Sequence, residues 1–293
     1  MAREAPALAR FLALAAFALA SIGAAAQAPH PLQAADIEAR LRESGRLQLS
    51  GNIVIERYDF VGETGRIEAV VTRPTDTARH PALLLIPGHS RTAYDMLAAA
   101  VRFARAGFAT VSVSQPGYGG SAGPADFAGP RTFAALVAAV QRFAAEPYVN
   151  AARMGVFGYS RGALAAAELA ARTDFFHAAV LGGGVYDFRT AYRQVGLAGI
   201  RENMVAEAGL GAAAVRFRSP IRDMAGLDGP VLIVHAAEDA NAPPAQALAL
   251  DRRLTALHRE HELLMLPGRD HGLPVADLVG PATIFFARHL QQP

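Results

Sequence analysis

The sequence contains no cysteine, no tryptophan and no lysine, so all 28 of its basic residues are arginine. The absence of cysteine excludes disulfides, thiolate metal sites, iron–sulfur clusters and cysteine nucleophiles. The absence of lysine excludes Schiff-base chemistry and phosphate binding by a P-loop lysine. Serine is therefore the strongest candidate nucleophile that the composition leaves.

The sequence also contains no block of like charges. The 293 residues carry 28 basic and 26 acidic side chains, and the formal net charge is +2. Because the arginines are scattered among carboxylates and form no run interleaved with aromatic residues, the sequence does not predict nucleic-acid binding. There is no internal repeat and no low-complexity linker, which favours a single globular domain.

The N-terminal segment has the pattern of a secretory signal peptide. Arg3 and Arg10 flank its basic start, Phe11 to Ala20 is an uninterrupted apolar run, and Ala26-Gln27-Ala28 offers a small-x-small cleavage site. The alternative is a membrane anchor, but a spanning helix needs about 20 apolar residues. We therefore expect residues 1–28 to be a signal peptide, the protein to be periplasmic or secreted, and no membrane span to remain after cleavage.

The mature chain alternates between short apolar segments and helical ones. This alternation predicts an α/β domain over residues 29–293, with a mostly parallel sheet and helices on both of its faces. Two further segments alternate as an antiparallel pair at one edge, and they bring the predicted sheet to eight strands. The predicted strands are Ile53–Phe60, Ile67–Thr72, Ala82–Ile86, Phe108–Val113, Met154–Phe157, Ala178–Leu181, Val231–Val234 and Leu263–Leu266. Residues 189–219 interrupt the alternation, and we expect one or two helices there that form a small lid.

One motif lies between a strand and a helix and has the chemistry of a nucleophile turn. Gly158-Tyr159-Ser160-Arg161-Gly162 follows the strand that ends at Phe157 and precedes an alanine-rich helix. Glycines two residues before and two after the serine let strand and helix pass closely around it. The helix N-terminus then directs N–H groups at a developing oxyanion. The alternative is that Ser160 only caps the helix.

An activated serine needs a base, and the base needs an acid that orients it. The loop after Val231–Val234 contains Glu238 and Asp239, and the loop after Leu263–Leu266 contains His271. In enzymes whose nucleophilic serine lies on a turn between a strand and a helix, the acid and the histidine follow the serine in that order. Both loops lie where the carboxyl ends of parallel strands would place them beside Ser160.

With these motifs the chain resembles the α/β-hydrolases, and within them the prolyl oligopeptidase catalytic domain and the dienelactone hydrolase-like esterases. The resemblance covers roughly residues 58–290. In that family a His-Gly-x-x-Asp-x-x-Val-Pro segment follows the seventh strand. Here His235, Ala236, Asp239, Ala242 and Pro243 occupy the corresponding places. The resemblance thus implies that Asp239 is the acid, with Glu238 as the alternative.

The same resemblance implies further site residues. His271 occupies the position of the catalytic histidine, and the oxyanion hole uses the backbone N–H groups of Arg161 and His89. His89 lies in Pro87-Gly88-His89-Ser90, where the family commonly has His-Gly-Gly or His-Gly-x, and its alternative is a loop residue without a special role. Tyr118 lies in a loop that is similar to the family's Arg-Gly-x-Gly-x-Ser, and either lines the pocket or packs under the loop. Asp187 is a candidate for substrate selection.

The predicted activity is acyl transfer through Ser160, His271 and Asp239, without a metal or another cofactor. We expect esters of small molecules as substrates, because the chain is too short for the N-terminal propeller of prolyl oligopeptidase relatives. The alternatives are a peptidase that acts on short peptides, a non-hydrolytic enzyme of the same fold, and a binding protein. His258 and His261 are three residues apart and have no carboxylate at metal-ligand spacing.

Overall fold

The central element of the fold is a nine-stranded sheet in a computed structural model that describes residues 34–292. Its order is β1-β2-β5-β7-β6-β8-β9-β10-β11; the first four strands pair antiparallel and those from β7 to β11 pair parallel. A separate hairpin consists of β3 and β4. The strands are β1 (Arg46–Leu49), β2 (Ile53–Arg57), β3 (Phe60–Gly62), β4 (Gly65–Ile67), β5 (Ala69–Pro74), β6 (His80–Ile86), β7 (Ala109–Val113), β8 (Val149–Tyr159), β9 (Ala178–Gly182), β10 (Val231–Ala236) and β11 (His261–Leu266).

Helices cover both faces of the sheet. On one face α3, α4 and α8 contribute to the largest apolar cluster, and on the other α2 and α9 build the second. The helices are α1 (Ala34–Ser44), α2 (Leu97–Arg105), α3 (Pro130–Ala144), α4 (Arg161–Arg172), α5 (Phe188–Gln194), α6 (Ala198–Ala208), α7 (Ala212–Phe217), α8 (Ala245–Ala256) and α9 (Val275–Leu290). None of these described helices is both long and apolar enough to cross a membrane.

The predicted α/β-hydrolase fold class is confirmed, but the prediction of eight strands in the sheet is wrong. The ninth strand is β1, which pairs antiparallel with β2 at the edge, where Arg46 and Glu56 form an ion pair of 2.9 Å. Its four residues are too few and too polar to stand out as a buried segment. The two predicted antiparallel segments are also interrupted, because the chain leaves the sheet after Arg57 to form the β3–β4 hairpin.

The predicted lid segment contains three short helices, α5, α6 and α7, instead of one or two. It joins β9 to the 3₁₀ turns that precede β10. Several of its apolar side chains are exposed, among them Leu197 and Val205, while Met204 of α6 is buried. The predicted signal peptide, residues 1–28, lies outside the described residues.

Every loop that holds a candidate site residue follows the carboxyl end of a strand in the parallel part of the sheet. Ser160 follows β8, Asp239 follows β10 and His271 follows β11, while the Pro87–Ser90 loop follows β6. Since β6, β8, β9, β10 and β11 are parallel neighbours, these loops meet at one edge. This is the edge at which open α/β sheets bind ligands.

Candidate active site

Ser160 occupies a strained turn between β8 and α4. Its backbone has φ 56° and ψ −121°, a left-handed φ that a side chain with a Cβ rarely adopts. The two motif glycines are sterically required: a Cβ on Gly158 would lie 2.2 Å from the carbonyl oxygen of Gly162, and a Cβ on Gly162 would lie 2.1 Å from that of Ile86. The turn therefore lifts Ser160 clear of the sheet while strand and helix remain in close contact.

The side chain of Ser160 does not cap the helix. Ser160 stands at the N-cap position of α4, but its hydroxyl makes no capping hydrogen bond. Instead, Ser160 Oγ lies 2.8 Å from Nε2 of His271, which is 111 residues further along the chain. The capping interpretation of Ser160 is therefore not supported.

The imidazole of His271 joins Ser160 to a buried carboxylate. His271 Nδ1 lies 2.8 Å from Oδ2 of Asp239, whose side chain is 1% exposed. Because a carboxylate only accepts hydrogen bonds, Nδ1 carries the ring proton and donates a hydrogen bond to Asp239. Nε2 is then free to accept a hydrogen bond from the Ser160 hydroxyl. The three residues thus form one continuous hydrogen-bonded chain.

The geometry also distinguishes between the two candidate acids. Oδ1 of Asp239 accepts the backbone N–H groups of Asn241 at 2.9 Å and Ala242 at 2.7 Å, so the carboxylate is held in one orientation. The neighbouring Glu238 is exposed, and its Oε2 accepts the N–H of Arg269 at 2.9 Å. Asp239, not Glu238, therefore contacts His271.

His235, near the carboxyl end of β10, is fully buried. Its Nε2 lies 2.7 Å from the carbonyl oxygen of Ala242. Burial lowers the pKa of His235 below its ordinary value, so the neutral ring donates from Nε2 to that carbonyl. His235 thereby ties the far end of the loop, at Ala242, to the end of β10.

Tyr159, the residue before Ser160, packs on His271. Its ring stacks on the imidazole of His271, with centroids 5.6 Å apart and planes inclined by 30°. Its hydroxyl donates a hydrogen bond to the main-chain carbonyl of His271. Burial raises the pKa of Tyr159 to about 12, so the phenol retains its proton at neutral pH.

Two backbone N–H groups are available for an oxyanion. Arg161 is the first residue of α4, so its N–H has no carbonyl partner within the helix. The Pro87–Ser90 loop approaches Ser160 closely, because a Cβ placed on Gly88 would lie 3.2 Å from Cβ of Ser160. His89 is the next residue of this loop and lines the same cavity. The positions of Arg161 and His89 thus fit the predicted oxyanion hole.

Tyr118 connects these two residues through its hydroxyl. The hydroxyl lies 3.1 Å from Nδ1 of His89 and accepts a hydrogen bond from the guanidinium of Arg161. Partial burial and the positive charge of Arg161 lower the pKa of His89, so its neutral ring can accept a hydrogen bond at Nδ1. Tyr118 is not among the residues that line the cavity, and it lies behind His89 and Arg161.

The side chain of Arg161 also anchors the lid segment. It is 3% exposed, pairs with Oε2 of Glu207 on α6 at 2.6 Å, and stacks on the ring of Phe127, whose centroid is 4.0 Å away. Glu207 in turn accepts the N–H of Phe127 at 3.2 Å. Sequence reasoning missed Glu207 and Phe127, because nothing in the helical segment 198–208 marks one glutamate as the partner of a residue 46 positions earlier.

Asp187, the other predicted substrate contact, turns away from the cavity. Its side chain caps α5 by accepting the N–H of Thr190 at 3.0 Å, and it is not a lining residue. His258 follows α8 and His261 begins β11, where its Nε2 lies 3.2 Å from Asp251. Within residues 34–292, no group of three or more His, Asp or Glu side chains is arranged to hold a metal ion.

A cavity of about 560 Å³ opens at Ser160 and His271. Most of its side chains are apolar, including Met96, Phe157, Val185 and Met204. Polar side chains also line it, among them Ser160, His271 and His89. A mainly apolar chamber with polar groups beside a reactive side chain is typical of a site for an organic substrate.

Known proteins resemble this chain in sequence and in fold. A sequence model of the prolyl oligopeptidase family matches residues 94–292. The chain is 25% identical over 206 residues to the uncharacterized peptidase YtmA of Bacillus subtilis, a match that covers 67% of this chain and 78% of that protein.

Solved structures show the same fold. An acylaminoacyl peptidase of Pyrococcus horikoshii superposes with a TM-score of 0.72 at 18% identity, over 83% of this chain and 42% of the other. A puromycin-hydrolyzing peptidase of Mycobacterium tuberculosis superposes with a TM-score of 0.72 at 21% identity, over 82% and 40%. The chain thus corresponds to about two fifths of the length of these solved structures.

Proposed function

Because the chain belongs to the prolyl oligopeptidase family and is a serine hydrolase, we propose that it is a peptidase that cleaves short peptides through Ser160, His271 and Asp239. The observation that carries this proposal is the continuous hydrogen-bonded chain from Ser160 Oγ through His271 to Asp239, with 2.8 Å at each step. This is the arrangement of a serine, its general base and an orienting acid.

In the acylation step, Ser160 Oγ attacks the carbonyl carbon of the scissile amide, and the hydroxyl proton passes to His271 Nε2. The imidazolium is stabilised by the carboxylate of Asp239, which remains ionised. Negative charge develops on the carbonyl oxygen and is stabilised by the N–H groups of Arg161 and His89. The carbon–nitrogen bond then breaks, and the leaving amine takes the proton from His271 Nε2.

In the deacylation step, a water molecule replaces the leaving amine beside His271. Nε2 accepts a proton from the water as its oxygen attacks the acyl carbon of the ester on Ser160. Collapse of the second tetrahedral intermediate breaks the bond to Ser160 Oγ, which recovers its proton from His271. The products are a carboxylic acid and the free serine hydroxyl, so the cycle needs no further reactant.

We infer that the natural substrates are peptides and not esters. The sequence interpretation put small esters first, but the named relatives are peptidases, which supports the alternative instead. Restriction to short peptides is supported by the position of the α5–α7 segment, since Ile200 and Met204 of α6 line the cavity. Activated esters would still acylate Ser160, because an ester carbonyl is attacked more easily than an amide.

We also propose that the protein is exported. The support is the sequence alone: a basic start, the apolar run from Phe11 to Ala20, and the Ala26-Gln27-Ala28 pattern. The test is fractionation of the producing cell, with the N-terminal residue determined for the protein in each fraction. Cleavage after Ala28 would make Pro29 the first residue of protein outside the cytoplasm, whereas protein found only in the cytoplasm would contradict the proposal.

The function is tested with a fluorophosphonate probe and a pair of substrate series. We expect the probe to label the wild type and a Ser50→Ala control, whose serine is exposed and distant in sequence, but not Ser160→Ala. Aminoacyl amides and short peptides are then compared with p-nitrophenyl esters of increasing chain length. Labelling that persists in Ser160→Ala would refute the nucleophile, and hydrolysis of esters without any amide would refute the peptidase assignment.

A further inference from the structure

The apolar walls of the cavity belong to two different hydrophobic clusters, on opposite faces of the sheet. One wall consists of Met96, Ala99, Phe157, Leu278 and Val279, which all belong to the cluster between the sheet and the helices α2 and α9. The opposite wall includes Phe127, Val185, Ile200 and Met204, which belong to or pack on the cluster beneath α3 to α6. Ser160 lies at the sheet edge between the two walls.

The position of His271 assigns these walls to the two halves of a substrate. In the proposed cycle, His271 Nε2 gives its proton to the leaving group, so the leaving group must lie on the His271 side of Ser160. The residues that follow His271 are part of the α2–α9 wall: Leu273 packs against its cluster, and Leu278 and Val279 stand in the first turns of α9. The opposite wall adjoins Arg161 and therefore faces the acyl half.

The α2–α9 wall has the chemistry of a pocket for an apolar side chain. Its five members are 1% to 8% exposed, and none of them carries a charge. The two charged residues at its margin, Arg91 and Asp95, are paired with each other at 3.2 Å. A charged side chain that entered this pocket would lose its hydration and find no charged partner among the five wall residues.

We propose that the pocket between α2 and α9 is a leaving-group subsite that receives an apolar side chain on the carboxyl side of the scissile bond. The inference rests on the proposed function and refines it by naming the substrate class: peptides with an aliphatic or aromatic residue directly after the cleaved bond. Each methylene buried there should raise kcat/KM by about fourfold.

The test uses peptides with one fixed acyl part and a varied residue after the scissile bond. Alanine, leucine, phenylalanine, aspartate and arginine are compared at that position by kcat/KM. For the wild type we expect leucine and phenylalanine to exceed alanine by about 60-fold or more, since at least three carbons are added at about fourfold each, and aspartate and arginine to fall below alanine.

Ala99→Leu fills the pocket and should remove the preference for leucine and phenylalanine over alanine at that position. Ala98→Leu is the matched control, because Ala98 is exposed on the same helix and adjacent in sequence. Met96→Ala enlarges the pocket and should shift the preference from leucine towards phenylalanine. This second variant keeps the test decisive if Ala99→Leu does not fold.

The outcomes separate the subsite from the function on which it depends. If peptides are cleaved at Ser160 but the rates do not depend on the residue after the bond, or if Ala99→Leu slows all peptides equally, the subsite is wrong and the peptidase stands. If the fluorophosphonate probe does not label Ser160 and no peptide is cleaved, the proposed function fails first and the subsite fails with it.

Discussion

The phenol of Tyr159 holds the main chain of His271, because its hydroxyl donates to the His271 carbonyl while its ring stacks on the imidazole at a centroid distance of 5.6 Å. The residue directly before the proposed nucleophile thus positions the proposed general base, which comes from a loop 112 residues later in the chain. Tyr159 therefore connects Ser160, its neighbour in the chain, with His271, which its side chain contacts. Tyr159 itself takes no part in the proposed proton transfer.

Tyr159→Phe should lower kcat by about tenfold and change KM by less than about twofold. The hydrogen bond to the His271 carbonyl is lost, and a small displacement of a catalytic base affects the transition state more than substrate binding. Steady-state kinetics on one peptide measures both constants. Tyr94→Phe is the matched control, because the buried Tyr94 hydroxyl has no partner among the described residues. An equal loss in both variants would contradict the positioning role.

Asp239→Asn should reduce kcat by about 10³- to 10⁴-fold, because an amide in place of the carboxylate favours the wrong imidazole tautomer and does not stabilise the imidazolium. Glu238→Gln should stay within about twofold of the wild type, since the exposed Glu238 side chain accepts the N–H of Arg269 and does not contact His271. Rates with a p-nitrophenyl ester are sufficient for the comparison. A larger loss of kcat in Glu238→Gln than in Asp239→Asn would show that Glu238, and not Asp239, is the acid.

Glu207→Ala should destabilise the fold by about 2–4 kcal/mol, because it leaves the nearly buried guanidinium of Arg161 without its carboxylate. Urea unfolding measures the change in the free energy of unfolding. Glu262→Ala is the control, since it breaks an exposed ion pair with Arg288 and should alter that free energy little. A double-mutant cycle with Arg161→Met should show coupling between positions 161 and 207, and additive effects would argue against the link between α6 and the nucleophile turn.

Glu168→Met should stabilise the protein, and by a larger margin at pH 8 than at pH 5. Glu168 is 1% exposed, neither of its carboxyl oxygens has a hydrogen-bond partner among the described residues, and burial raises its pKa well above the ordinary value. A raised folded-state pKa means that the contribution of Glu168 to stability is fully present below the unfolded-state pKa, near pH 4.5. That contribution is lost as the pH rises through the folded-state pKa.

The measurement for Glu168 is denaturant unfolding at both pH values, with Glu43→Met as the exposed control. The Glu43 change should shift the free energy of unfolding by the same small amount at pH 5 and pH 8. A stability difference between Glu168→Met and the wild type that does not change with pH would show that Glu168 stays ionised in the folded protein.

Local hydrophobic patterns in the sequence are sufficient to predict several strands of the sheet. The strands β6, β7, β9 and β10 are short, apolar and bounded by turn residues, because each is buried on both faces. β1 escaped prediction because its four residues alternate and its pairing depends on β2. A strand that is stabilised mainly by its neighbour leaves a weak signal in its own residues.

The same distinction between local motifs and long-range contacts applies to the candidate site. Ser160, Asp239 and His271 could be proposed from the sequence because each lies in a local motif at the end of a strand, and the structure brings their side chains together. Glu207 was missed, because its role depends on contacts with Arg161 and Phe127 that only the folded chain creates. Asp187 was overestimated, since its carboxylate is used by the N-terminus of its own helix.

The left-handed backbone of Ser160 has a consequence for the stability of the whole protein. An alanine at this position keeps the unfavourable φ of 56°, whereas a glycine adopts it without a steric penalty. An inactive Ser160→Gly protein should therefore unfold at a higher temperature than Ser160→Ala. At this position the backbone geometry favours glycine, whereas the proposed chemistry requires the hydroxyl of serine.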